Sequence, residues 1–202
     1  MSKLKSILSH FFTFWLVLSL PAILMITGLT TGDPGSVQHA LHASGEFAAR
    51  FMIITMMITP LMMLFRKAVW PRWLMKRRRY LGVTAFFYAL LHTVLYLVDE
   101  GAVAFSGSEI SKLYIWTGWL AFLIFVPLAV TSTDGWVSKL GRNWKMLQKA
   151  VYGAAVLTLV HWAALHDWGG IAPALVHFSP LVGLEIYRFL SNRKRRLVRA
   201  AA

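Results

Sequence analysis

The stretch that decides the fold is RRRYLGVTAFFYALLHTVLYLVDE, residues 77–100. Three arginines precede a mainly apolar run, residues 80–98, and two acidic residues follow it. As a helix, a run of about 20 apolar residues is long enough to cross the hydrocarbon core of a bilayer. Basic residues mark the cytoplasmic end, because cytoplasmic loops accumulate Lys and Arg. Residues 80–98 are therefore predicted to form a transmembrane helix that leaves the cytoplasm.

Five further hydrophobic segments have the same character. With residues 80–98 they give six predicted spans, at about 7–29, 47–66, 80–98, 113–131, 147–166 and 170–190. The composition agrees, since 57% of the 202 residues are hydrophobic and 14% are charged, whereas a soluble domain carries about a quarter charged residues. The predicted fold class is all-α, a polytopic six-helix transmembrane bundle that forms one domain over residues 1–202.

The charges of the connections alternate along the chain. Loop 66–79 carries seven Lys and Arg residues, whereas loop 30–46 carries none and loop 99–112 carries only Lys112. This pattern predicts that both termini lie in the cytoplasm, and it predicts a multi-pass protein of the bacterial inner membrane. It also accounts for the net charge of +13, so nucleic acid is not an expected partner. The basic tail is expected to face membrane lipid.

Histidines within the predicted spans are the first candidates for function, because ionisable side chains are costly inside a membrane. His92 in span 3 and His161 in span 5 lie at a similar depth on helices that run in the same direction. Two imidazoles at one level suit bis-axial ligation of a haem iron. We therefore predict a haem with His92 and His161 as its metal ligands. The alternative is that each histidine bonds a neighbouring carbonyl within closely packed helices.

Other residues are secondary candidates for cofactor binding. His42 precedes span 2 near the level of the iron, as a reserve ligand or a group near the haem edge. Arg50 either meets the haem propionates, which a guanidinium binds well, or pairs with Glu46 four residues earlier. His10 and His177 are predicted to be interfacial or structural, with His177 as the next candidate ligand.

Several short motifs lie between residues 58 and 161. They are Ile58-Thr59-Pro60-Leu61, Arg78-Arg79-Tyr80-Leu81-Gly82, Leu91-His92, Thr131-Ser132-Thr133, Lys139-Leu140-Gly141 and Val151-Tyr152. Together they resemble the MsrQ (YedZ) type of haem-binding membrane subunit, one of the ferric-reductase-like transmembrane proteins. The resemblance covers approximately residues 35–165, and it places His92 and His161 at ligand positions for a haem b.

The resemblance implies an electron-transfer subunit of an oxidoreductase system for methionine sulfoxide repair. Its electrons would come from a cytoplasmic flavin reductase or the quinone pool. They would pass to a periplasmic molybdopterin enzyme that reduces protein methionine sulfoxide.

Gln148 departs from the family pattern, which usually has a histidine at that position. From Gln148 to His161 is 13 residues, or about 20 Å along a helix, so a lone outer haem leaves a gap to cytosolic donors. Three ways to close it stay open: a flavin (FMN) or quinone near the inner face, an inner haem held by a residue such as His10, or a different donor. Glu46 is a second departure, because relatives tend to carry a basic residue there.

Two rival functions belong to other classes. The first is a membrane scaffold or assembly subunit that kept the fold without electron transfer, and Gln148 favours it. The second is a transporter, which fits least because Glu185 is the only deep acid in the predicted spans.

Overall fold

The fold was obtained as a computed structural model that describes residues 11–30, 32–33 and 35–200. Within these residues the chain is helical and contains no β-strand. The six longest helices are α1 (Phe11–Leu29), α2 (Ser36–Leu64), α3 (Trp70–Glu100), α4 (Leu113–Val130), α5 (Val151–Ala163) and α6 (Ile171–Ala200). Short helices lie in the connections, at Gly101–Phe105, Gly107–Ile110, Asp134–Leu140, Arg142–Leu147, Gln148–Ala150 and Leu165–Trp168. The predicted all-α class is confirmed.

Three helical stretches in the described part of the chain are long and apolar enough to cross a membrane. They are Ser36–Leu64, Trp70–Phe105 and Leu113–Val130. Thr13–Leu29 is a shorter apolar helix, α5 has only 13 residues, and α6 ends in a strongly basic segment. The chain is therefore a helical membrane protein, while the count of six spans and the side of each terminus stay predictions.

Helix α2 begins well before the predicted span at 47–66. It starts at Ser36, and its first turns bury the small residues Ala40 and Ser44 against the rest of the bundle. Small residues let membrane helices approach closely even where the segment is not strongly apolar. His42, which the sequence placed in a loop, consequently lies on α2.

The helices pack around one main hydrophobic cluster. Helix α2 packs along α3, α4 along α5, and α6 against α2 and α5. The cluster includes the buried residues Met52, Met56, Ala85, Phe125, Leu128, Ala154, Ala155, Phe178 and Leu181. These residues fill the half of the bundle nearer to the basic connection between α2 and α3. The other half is more open, and it holds the site described below.

Helix α1 is joined to α3 at a proline. Pro21 lies inside α1 and has no N–H for the helical ladder. The Tyr88 hydroxyl of α3 donates to the Leu18 carbonyl at 2.9 Å and accepts from the Ala22 amide at 3.0 Å. An unbroken helix joins these two backbone groups directly. Tyr88 thus satisfies both of them and ties α1 to the bundle.

Candidate functional site

A cavity of about 880 Å³ opens between α2, α3, α4 and α5. This volume is within the range of roughly 300–1,000 Å³ typical of cofactor sites. Its deep end is apolar and includes Ala48, Ala49, Ala89, Phe122 and Phe125. Its mouth is polar and includes Gln38, His42, Tyr96, Asp99, Glu100, Lys112 and Asp167. Such a gradient suits a ligand with one apolar and one polar edge.

The structure brings His92 and His161 together across this cavity. Their ring centroids are 6.1 Å apart and their planes are nearly perpendicular, at 88°. The Nδ1 atom of His92 lies 2.9 Å from the Leu41 carbonyl oxygen, and that of His161 lies 2.5 Å from the Tyr114 carbonyl oxygen. A carbonyl only accepts, so each Nδ1 is assigned the proton. Each Nε2 then keeps its lone pair for a metal.

A glycine on a neighbouring helix supports each ring. A Cβ on Gly45 would lie 2.9 Å from the His92 ring, and a Cβ on Gly118 would lie 2.7 Å from Nδ1 of His161. Each glycine is four residues beyond the carbonyl that its histidine bonds, Leu41 and Tyr114 respectively. Because the glycine one turn after the carbonyl has no side chain, the imidazole can come close enough to bond that carbonyl. The α2–α3 and α4–α5 pairs build two half-sites on the same local plan.

The donor set fits a metal whose other ligands come from a cofactor. Metal–imidazole bonds are about 2 Å long, so two rings on opposite sides of one iron place their centroids roughly 6 Å apart. The observed separation is 6.1 Å. In the described part of the chain no group of three or more His, Cys, Asp or Glu side chains could hold a bare ion. Two imidazoles in a cavity of this size instead match an iron within a macrocycle.

His42 and Arg50, the other candidates from the sequence, occupy different surroundings. His42 lies on α2 and lines the cavity. Arg50 is not among the lining residues; its guanidinium pairs with Glu46 at 2.5 Å and donates to Nε2 of His177 at 3.3 Å. The sequence left open whether Arg50 meets haem propionates or pairs with Glu46, and in the structure it pairs with Glu46.

His177 is held by its neighbours outside the cavity. Its Nδ1 lies 2.7 Å from the Pro173 carbonyl, and its ring packs on Trp162 at 4.7 Å between centroids. Both ring nitrogens are therefore engaged, one with Pro173 and one with Arg50. His10 lies outside the described residues.

Gln148 makes a structural contact at the opposite end of α5 from His161. Its side-chain amide donates to the Leu128 carbonyl of α4 at 3.2 Å. Leu128 belongs to the packed hydrophobic cluster, which occupies this half of the bundle. The amide thus closes α5 onto α4.

The sequence predicted no part in the site for Gly45, Gly118, Tyr96 or Lys112. Glycines inside apolar spans are a usable signal, because they mark close approach between helices or between a helix and a side chain. The spacing of residues along the sequence does not show which side chain packs against a given glycine.

A comparison with known families decides the classification. The profile of a family described as "Ferric reductase like transmembrane component" matches residues 44–159, more than half of the chain. The chain belongs to the ferric-reductase-like transmembrane family. The matched segment contains Gly45, His92 and Gly118 and ends two residues before His161.

Relatives within this family share the name "Protein-methionine-sulfoxide reductase heme-binding subunit MsrQ". The relative from Xanthomonas oryzae pv. oryzae (strain MAFF 311018) is 38% identical over 165 residues, covering 79% of this chain and 74% of its own. The one from Xanthomonas euvesicatoria pv. vesicatoria (strain 85-10) is 39% identical over 158 residues, covering 76% and 71%. The one from Ralstonia nicotianae (strain ATCC BAA-1114 / GMI1000) is 30% identical over 193 residues, covering 91% and 87%. No solved structure matches the chain. The resemblance predicted from the motifs is confirmed.

Proposed function

We propose that this protein is a membrane electron-transfer subunit that binds a b-type haem, with His92 and His161 as the two axial ligands. The observation that carries the proposal is the pair of facing imidazoles, 6.1 Å apart in a cavity of about 880 Å³. Family membership and the names of the relatives support it independently. A bound haem would supply one-electron transfer between its ferric and ferrous states.

The chain contributes orientation and burial. The Leu41 and Tyr114 carbonyls hold the Nδ1 protons, so each ring presents Nε2 to the cavity. A hydrogen bond at Nδ1 also makes Nε2 a better electron donor, which favours the ferric state. Ala89, Phe122 and Phe125 line the deep end and make it apolar. These second-layer contacts are the means by which a protein tunes a haem.

The proposed electron acceptor is the catalytic subunit of a methionine-sulfoxide reductase, a periplasmic molybdopterin enzyme. The relatives are named as heme-binding subunits of a protein-methionine-sulfoxide reductase. The cavity opens beside Asp99 and Glu100 at the end of α3 and Lys112 in the connection that follows; the charge pattern assigns this end to the outer side of the inner membrane. This orientation assumes six spans with both termini in the cytoplasm.

The proposed electron donor is the quinone pool or a cytoplasmic flavin reductase. Gln148 and the packed cluster around Leu128 lie toward the basic connection between α2 and α3, the side that the charge pattern assigns to the cytoplasm. We therefore propose a single haem in the outer half. A quinol within the bilayer approaches such a haem more closely than a cytosolic donor does.

The absorption spectrum of the purified full-length protein tests this function. We expect a Soret band in the oxidised state, sharp α and β bands after reduction, and loss of bound haem in His92→Ala and in His161→Ala. His177→Ala is the matched control, because His177 lies outside the cavity, and it should keep its haem. A full haem complement in either ligand variant would overturn the ligand assignment.

The second candidate, a scaffold or assembly subunit, is favoured by Gln148. It predicts a colourless protein that still assembles with its partner. Helix packing alone would account for the bonds of the two histidines to the Leu41 and Tyr114 carbonyls, but it gives no reason for both rings to face one cavity, so we rank it second.

A further inference from the structure

Tyr96 lines the cavity and carries a buried hydroxyl whose hydrogen-bond donor is unused among the described residues. It lies four residues after His92 on α3, one turn nearer to the mouth and on the same helix face. Both residues line the cavity. The Tyr96 hydroxyl oxygen is buried and has no hydrogen-bond partner among the described residues.

Tyr88 shows the usual arrangement on the same helix, where Thr84 also has a buried hydroxyl without a partner among the described residues but does not line the cavity. The Tyr88 hydroxyl makes two bonds, one as donor to Leu18 and one as acceptor from Ala22. Buried side-chain hydroxyls are nearly always bonded, because a lost hydrogen bond to water must be replaced. Because Tyr96 lines the cavity, a ligand bound there is a candidate partner for its hydroxyl.

Lys112 brings a positive charge to the same mouth. Among the described residues that line the cavity it is the only Lys or Arg. Its ammonium is held 2.5 Å from the Glu109 carboxylate. This hydrogen bond raises the pKa of Lys112, so the ammonium stays charged at neutral pH.

The rest of the mouth is unfavourable to an anion. It carries the acidic residues Glu46, Asp99, Glu100 and Asp167. An ionised carboxylate that enters from this side therefore needs specific donors to offset the repulsion. Arg50, which the sequence suggested for this task, is not among the residues that line the cavity.

We propose that the Tyr96 hydroxyl and the Lys112 ammonium bind a propionate carboxylate of the tetrapyrrole. The inference rests on the proposed function, because it assumes that a haem occupies the cavity. The apolar end of the cavity takes the vinyl and methyl edge, and the polar mouth takes the carboxylate edge. The ligand class is thus a tetrapyrrole with free carboxylates, which the site distinguishes from its neutral ester.

The test compares protohaem with protohaem dimethyl ester. Full-length protein purified without haem is titrated with each compound, and the dissociation constants are read from the Soret band. We expect the wild type to bind the free acid about tenfold or more tightly than the ester, since hydrogen bonds to charged groups are strong. In Tyr96→Phe the affinity for the acid should fall by more than the affinity for the ester, because an ester carbonyl accepts a weaker hydrogen bond than a carboxylate does. Lys112→Gln should reduce the preference in the same direction.

The ester serves as an internal control for folding, and Tyr80→Phe is the matched control on α3. The Tyr80 ring packs on Phe14 and Trp15, away from the cavity, so this variant should keep the preference of the wild type. The proposal is overturned if Tyr96→Phe keeps the full preference for the acid. Equal losses for acid and ester in Tyr96→Phe also overturn it, as does a wild type that binds both equally. If the wild type binds neither compound, the proposed function itself fails.

Discussion

The His92 and His161 rings face each other at 6.1 Å with their planes perpendicular, and each bonds a carbonyl four residues before a glycine on the adjacent helix. Two helix pairs thus fix two imidazoles independently, one with Gly45 behind it and the other with Gly118. Each ring is hydrogen-bonded to a backbone carbonyl through Nδ1 and packs closely against a glycine, so it cannot move toward the neighbouring helix. The orientation of both Nε2 atoms is therefore fixed before a ligand binds. Pre-orientation lowers the entropy lost when a cofactor binds.

The perpendicular planes predict a spectroscopic signature. Planar axial ligands at 88° leave the two π-type d orbitals of a low-spin ferric iron nearly equal in energy. We expect an electron paramagnetic resonance spectrum with one large g value, of the highly anisotropic low-spin kind. A well-resolved rhombic spectrum would instead indicate nearly parallel rings, and the ring orientation described above would then be wrong.

Gly118→Ala should weaken haem binding. The new Cβ would lie 2.7 Å from Nδ1 of His161, so the ring must move and its bond to the Tyr114 carbonyl lengthens. We expect at least about a tenfold loss of haem affinity, equivalent to roughly one lost hydrogen bond, measured by haem titration. Gly183→Ala is the control, because its Cβ meets nothing within 4 Å; it should bind haem as the wild type does. Equal affinity in both variants would contradict the supporting role of Gly118.

The protein should contain one haem per chain. Gln148 donates to the Leu128 carbonyl, and the packed cluster occupies the half of the bundle around it. The amount of haem, measured as the pyridine complex and divided by the protein concentration from amino-acid analysis, should approach one. A ratio near two would mean that a second ligand pair exists, and it would restore an inner haem to the electron path.

Tyr88→Phe should loosen α1. The variant removes the hydroxyl that bonds the Leu18 carbonyl and the Ala22 amide, and an unsatisfied buried polar group costs about 1–3 kcal/mol. We expect a lower midpoint of thermal unfolding in detergent, with an unchanged haem spectrum because Tyr88 does not line the cavity. An unchanged midpoint would show that α1 is held by its apolar contacts alone.

The membrane orientation can be tested with single cysteines, because the chain has none of its own. Ser108 lies in the connection between α3 and α4, Ser138 in that between α4 and α5, and both are exposed. A membrane-impermeant maleimide added to spheroplasts should label Ser108→Cys and not Ser138→Cys. The reverse pattern would invert the proposed orientation and place the cavity mouth in the cytoplasm.

The sequence was sufficient for features that depend on local composition. Apolar length and loop charge predicted a helical membrane protein, because the cost of exposing the backbone to lipid leaves little other choice. Depth along two parallel helices predicted that His92 and His161 lie at one level, and the structure brings them together. Helix ends were predicted less well. Helix α2 already begins at Ser36, although residues 36–46 are too polar to be predicted as part of a membrane span. Close packing of the small residues in these turns stabilises the helix there.

The sequence by itself determined that the protein is a helical membrane protein. It also predicted the order of the membrane spans and the two histidines, His92 and His161, of the candidate site. Only the tertiary structure decided that Arg50 turns to Glu46 and His177 and that Gly45 and Gly118 leave room for the two rings. It also decided that the buried Tyr96 hydroxyl has no hydrogen-bond partner among the described residues. The physical reason is that lipid is as apolar as the interior of the bundle, so hydropathy does not show how each helix is rotated about its axis. That rotation determines which side chains meet.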